Sequence, residues 1–218
     1  MKKSILVAAL LLSAGAATAA DTASWTTWSG TAGTFVQNGN TINVSYTGQS
    51  NWIDYTASIF NQVQSSFTSP AVTNTPGANG TIAMTGGDTQ INNFHFSQAV
   101  IDPLIAVWSV GQGGVPVSFN FLNSPSFSIL SQGGGHWGGG TVTQSGFSIT
   151  GWEGNALLQF KGRYTDLSFT TPNYEYYYGV TVGALATAPV PEPESYAMLL
   201  AGLGLMGAVA RRRKVRQA

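Results

Sequence analysis

The chain has 218 residues, no cysteine, and nine Lys and Arg against nine Asp and Glu. Seven of the nine cations crowd the two ends, which leaves residues 21–188 with Lys161 and Arg163 against seven acids, a net charge of −5. This distribution excludes nucleic acid and an anionic membrane face as partners of the body, because both need clustered cations, and the missing cysteine excludes a disulfide frame and thiol chemistry.

The first element is a signal. Met1-Lys2-Lys3 is a basic start, residues 5–12 are apolar, and small residues up to Ala19 and Ala20 offer cleavage sites after either. This is the pattern of a Sec-type signal peptide over residues 1–20, which implies the Sec translocon and signal peptidase as partners and an exported body.

Residues 21–186 read as one domain with a core of its own. Period-2 alternation dominates it. Thr41-Ile42-Asn43-Val44-Ser45-Tyr46 is one clean run. Residues 115–121 form another, with Val115, Val117, Phe119 and Phe121 on one face. Further short strands are expected at 81–85, 91–96, 104–110, 127–130, 146–150, 156–161, 167–170 and 176–182, separated by Gly, Pro, Asn and Ser. Residues 58–67 suit one short helix with Ile59, Phe60 and Val63 inward. About ten strands without a convincing amphipathic helix point to an all-β fold, an antiparallel β-sandwich of jelly-roll-like type. Trp108, Phe119, Phe121, Phe127, Phe147, Phe160 and Phe169 are its expected core, while Trp25, Trp28, Trp52, Trp137 and Tyr176 to Tyr178 are less obviously inward.

Little in the body points to catalysis or to a metal. His95 sits opposite in parity to Phe94 and Phe96, on a solvated face. His136 lies in the glycine run 133–140, and nothing pairs the two histidines into a zinc site. Gly86-Gly87-Asp88 lacks the spaced oxygens of a calcium loop and reads as a turn. No cofactor is implied. There is no Gly-x-Ser-x-Gly elbow. Glu153, Asp166 and Glu175 could supply the two carboxylates of a glycosidase, although Gly151-Trp152-Glu153-Gly154-Asn155 reads as a turn with an exposed acid. The glycine run is the best candidate ligand rim, with His136 and Trp137 placed to meet a sugar face.

The tail has three parts. Pro191 and Pro193 cannot donate to a ladder and impose an extended linker over residues 187–195. Residues 196–210 carry no charge and, as a helix of about 1.5 Å per residue, would span roughly 22 Å, short of the roughly 30 Å hydrocarbon core. Arg211, Arg212, Arg213, Lys214 and Arg216 then bar this helix from a protein core and mark a cytoplasmic end, residues 211–218, so 196–210 reads as a transmembrane helix with the body on the periplasmic side. Gly202-x-Gly204-x-x-Gly207 is no dinucleotide loop, because no βα unit follows.

Val190-Pro191-Glu192-Pro193, the apolar helix and the terminal cations together resemble the PEP-CTERM sorting signal of Gram-negative bacteria. The resemblance implies recognition by exosortase, a membrane-embedded transpeptidase. It also implies transient residence in the inner membrane and release of the body to the envelope surface or medium, in association with exopolysaccharide. A second resemblance, over residues 91–183, joins Phe96-Ser97-Gln98, the string 106–114, Phe127 to Gly133 and Tyr178-Gly179-Val180-Thr181-Val182-Gly183 to uncharacterised ectodomains of such proteins. The expectation is a non-catalytic surface or matrix protein. The alternative is a secreted carbohydrate-active enzyme built on a carboxylate pair.

Overall fold

A computed structural model describes residues 21–187 except His136 and Gly138, together with Gly202, Leu203, Gly204 and Met206. The chain divides into two units, residues 1–187 and 188–218. In the second, the four described residues are helical.

The first unit begins with β1 (Ala23–Trp25), β2 (Thr27–Ser29), β3 (Ala32–Gln37), β4 (Asn40–Thr47) and β5 (Trp52–Asp54). A one-turn helix α1 (Ser58–Asn61) and a 3₁₀ turn (Gln64–Ser66) precede β6 (Thr81–Gly86), β7 (Asn92–Ile101), β8 (Leu104–Val110), β9 (Val117–Phe121) and β10 (Phe127–Gly134). Then come β11 (Val142–Ser145), β12 (Ser148–Gly151), β13 (Gly154–Phe160), β14 (Arg163–Thr170) and β15 (Tyr174–Leu185).

These strands build two wholly antiparallel sheets. One has eight strands in the order β11-β12-β9-β14-β7-β4-β3-β2. The other has seven, β10-β13-β8-β15-β6-β5 with β1 also paired to β15. From β7 onward every connection except the β11–β12 hairpin passes from one sheet to the other, so neighbours in sequence face each other across the core.

Between the sheets, Phe94, Phe96, Phe119, Phe121 and Phe169 of the first meet Ile105, Val107, Leu158, Phe160 and Tyr178 of the second. Edge-to-face ring pairs cross the interface, Phe121 with Phe160 at 4.9 Å and Phe119 with Tyr178 at 5.4 Å. Trp28 Nε1 donates to Thr181 Oγ1 at 2.9 Å and ties β2 to β15. β9 keeps the expected alternation between buried and partly exposed positions, but β8 and β13 are buried at every position. Their second face carries another apolar layer, in which Ile59, Phe60, Phe67 and Val72 roof Leu104, Ala106, Trp108 and Leu157. A strand covered on both sides loses its period-2 signature.

Several expectations are corrected. Residues 58–67 are not one helix: Ala57 supplies no side-chain cap, and Val63 at φ −129° interrupts the chain between the two short turns. Trp25 and Trp28 are buried. Val115 is exposed because β9 starts only at Val117, and Gln112 and Val115 pair across a small turn. Phe147 is 48% exposed, since it sits with Gly146 (φ 57°) at the tip of the β11–β12 hairpin. Replacing Phe119 with Ala should therefore cost about 3–5 kcal/mol in urea unfolding. The same change at Phe147 should cost no more than about 0.5 kcal/mol.

Candidate functional site

Glu153 lies at the turn between β12 and β13 with φ 60°, and it is 5% exposed, not the solvated acid that its Gly-rich surroundings imply. The glycine run explains the burial. Gly135 N donates to the Glu153 carbonyl at 2.7 Å. A Cβ at Gly135 would strike the Glu153 carboxylate, and one at Gly140 would run into the Trp152 carbonyl. Side-chain-free backbone is what lets this segment lie against Glu153.

Ser109, fully buried at φ 54°, donates from Oγ to Glu153 Oε1 at 2.8 Å. Its N–H donates to Asn155 Oδ1 at 2.8 Å, and Asn155 Nδ2 donates to the Gly134 carbonyl at 3.0 Å. The β13–β8 ladder slips between Gly154 and Ala156 beside this knot. Two non-glycine residues at positive φ cost roughly 1–3 kcal/mol each, and here a closed hydrogen-bond network holds both of them.

Glu175, near the start of β15, is 3% exposed and accepts from Gly111 N at 2.8 Å. Burial pushes its carboxyl up to about 8; the Gly111 N–H opposes the shift and the Glu153 charge adds to it. Glu175 is therefore protonated at neutral pH. No bond is formed to Glu153 Oε2 or Glu175 Oε1 among the described residues.

Glu153 and Glu175 line a cavity of about 430 Å³, together with Gln112, Gly113, Trp137, Tyr176 and Tyr177. Trp137 and Tyr177 also line a second cavity of about 300 Å³, which contains Trp52, Asp54 and Trp108. The two are thus adjoining parts of one groove. Trp52 stacks on Tyr177 at 5.1 Å and 8°. Trp108 meets Tyr177 and Trp137 edge-on at 4.9 and 5.2 Å. Tyr177 Oη donates to Asp54 Oδ2 at 2.7 Å, which fixes that ring. Trp108 Nε1 is buried without a hydrogen-bond partner among the described residues.

Of the residues singled out from sequence, Trp137 stands at the groove, 64% exposed, and His136 lies outside the described residues. Asp166 belongs elsewhere: it meets His95 Nδ1 at 2.9 Å on the eight-stranded sheet, with both side chains exposed. A wider hollow of about 610 Å³ is lined by His95 with small, polar and aliphatic residues, and no Phe, Tyr or Trp is among the lining residues described. Asp88 is a turn residue, accepting from Gln90 N and Gln49 Nε2. No cluster of three or more His, Asp or Glu placed for a metal occurs among the described residues. Trp52, Trp108 and Tyr177 were not readable as one site, because they come from β5, β8 and β15 and converge only in the sheet.

The comparisons speak to the tail. A family model described as the PEP-CTERM protein-sorting motif matches residues 189–214. The chain carries that motif, which spans Val190, Pro191, Glu192 and Pro193 as well as Arg211, Arg212, Arg213 and Lys214. It supports exosortase-dependent sorting of a surface protein. No curated protein and no solved structure matches the chain. The expected signal peptide 1–20 with Ala19 and Ala20, the PEP residues, the cationic end and most of the expected span 196–210 lie outside the described residues. Among the described residues no helix is long and apolar enough to cross a membrane.

The raised Glu175 pKa has a testable sign. Its folded value of about 8 exceeds the ordinary glutamate value of 4.5, so the folded state holds a proton that the unfolded chain releases. The stabilisation is complete below about pH 4.5 and is lost as pH rises through about 8, at up to about 1.4 kcal/mol per pH unit. Urea unfolding between pH 5 and pH 8 should show this slope in the native chain and a flatter profile in Glu175→Gln.

Proposed function

We propose that the body is a non-catalytic surface or matrix protein that holds a polysaccharide strand in the groove of Trp52, Tyr177, Trp108 and Trp137. The observation that carries this reading is the aromatic lining itself. Ring faces suit the apolar faces of sugars, and a rim of amides, hydroxyls and carboxyls suits their hydroxyl groups. In this account the Sec pathway exports the chain. Residues 196–210 hold it briefly in the inner membrane with Arg211, Arg212, Arg213 and Lys214 on the cytoplasmic side. Exosortase then cuts near Pro191–Pro193 and passes the body to the envelope surface, where exopolysaccharide is the ligand.

A specific observation favours a second reading, that of a carbohydrate-active enzyme. Glu153 and Glu175 share one cavity, and two carboxyl groups flanking a glycosidic bond are what its hydrolysis requires.

Two experiments test these readings. Protein recovered from native envelopes should retain the producing cells' exopolysaccharide in a pull-down. Trp52→Ala or Trp137→Ala should weaken retention about fivefold each, equivalent to about 1 kcal/mol per lost platform. Equal retention by the variants would remove the groove from the account. New reducing ends in the same samples, abolished by Glu175→Gln, would favour the enzyme. For sorting, replacing Pro191-Glu192-Pro193 with Ala should leave full-length protein in the inner-membrane fraction, whereas unchanged release would count against exosortase.

A further inference from the structure

We propose that the carboxyl end of the groove receives a protonated amine carried on a sugar, so that the strand held here is a hexosamine polymer with free amino groups. This rests on the glycan reading above and specifies its ligand.

Glu153 and Glu175 are each at least nine-tenths buried, and each is held through a single oxygen, by Ser109 Oγ and Gly111 N respectively. Nothing cationic answers them among the described residues. Lys161 pairs with Asp102 at 3.2 Å, Arg163 sits exposed on β14 of the other sheet, and His95 is engaged by Asp166. Two carboxyl groups packed into one cavity with no counter-charge among the described residues disfavour double ionisation. An entering cation relieves that conflict and finds two unbonded oxygens.

The other walls select the kind of cation. Trp137, Tyr176 and Tyr177 complete the cavity. Aromatic faces attract an ammonium group through the ring quadrupole, whereas a hard metal ion requires six or more oxygen ligands. Among the described residues Gln112 is the only further side-chain oxygen ligand there besides Tyr176 and Tyr177. The continuation of the groove argues that the amine is carried on a larger molecule. Past Trp137 and Tyr177 lies the stacked platform of Trp52 on Tyr177. An ammonium in the acid cavity and a pyranose on the platform together account for both features.

Binding then carries a proton signature. The titratable groups around the cavity are Glu153, Glu175, Tyr176 and Tyr177, with Asp54 behind Tyr177; His136 adjoins Trp137 outside the described residues. Glu175 is protonated when the site is empty and ionises when the ammonium enters, so up to one proton leaves per amine bound.

The probes are a glucosamine tetramer and its fully N-acetylated counterpart of the same linkage, titrated calorimetrically into protein recovered from native envelopes. At pH 6 the sugar amines are charged, and measurement in two buffers of different ionisation enthalpy counts the released proton. The glucosamine tetramer should bind about tenfold tighter than the acetylated one, with proton release seen only for the former. Glu153→Gln and Glu175→Gln should each erase most of that preference. The native comparison stands without either variant. Equal or tighter binding of the acetylated tetramer overturns the amine while leaving the groove intact. Binding of neither tetramer overturns the groove and the amine with it. Glu153-dependent binding of calcium chloride without amine preference overturns the proposal in favour of a metal.

Discussion

Strands β8 and β13 are buried on both faces, and apolar strands covered twice have to be roofed by something the two sheets do not supply. The inner face of their sheet packs on the eight-stranded partner through Phe119, Phe121 and Phe169. The outer face is roofed by Ile59, Phe60, Phe67 and Val72, from the stretch that carries α1 and the 3₁₀ turn. Beyond this roof the same sheet offers Tyr177 from β15 and Trp52 from β5, with the buried Trp108 edge-on behind Tyr177. The groove is the part of the outer face that the roof leaves open, so the packing problem of the fold and the place of its site are one matter.

The acid end of the groove is built against local preference. Ser109 and Glu153 adopt positive φ, a bulge interrupts β13 against β8, and Gly111 at φ 81° turns its N–H to Glu175. Such departures are stable only where surrounding hydrogen bonds over-determine them, as they do through Asn155, Gly134 and Gly135. The glycine run is part of this structure. Its Gly135 and Gly140 pass where no side chain fits, so it acts as a close-packed cover over Glu153 and carries the exposed ring of Trp137 to the edge of the groove.

The two ends of the chain hold information of a different kind from the body. The PEP-CTERM motif at residues 189–214 is a linear address: proline, an apolar run and cations in fixed order. Its reading depends on local chemistry and needs no folded partner. The body carries no comparable short motif, and its polar surface and scarce charge are compatible with many ligands.

The all-β class was visible from alternation along the chain, because strand parity is a local property; 41–46 and 117–121 show it plainly. Parity gave no warning where coverage came from elsewhere. Trp25 and Trp28 are inside because β15 and the second sheet meet them, and Phe147 is outside because a hairpin tip carries it there. The fate of Glu153 is the sharpest case. In the sequence it stands between glycines and reads as solvated. In the fold, glycines from a separate segment close over it, and Glu175 arrives beside it from another strand. Export and sorting could be read from consecutive residues. Burial of an acid depends on what long-range packing brings against it, and no window of neighbouring residues contains that.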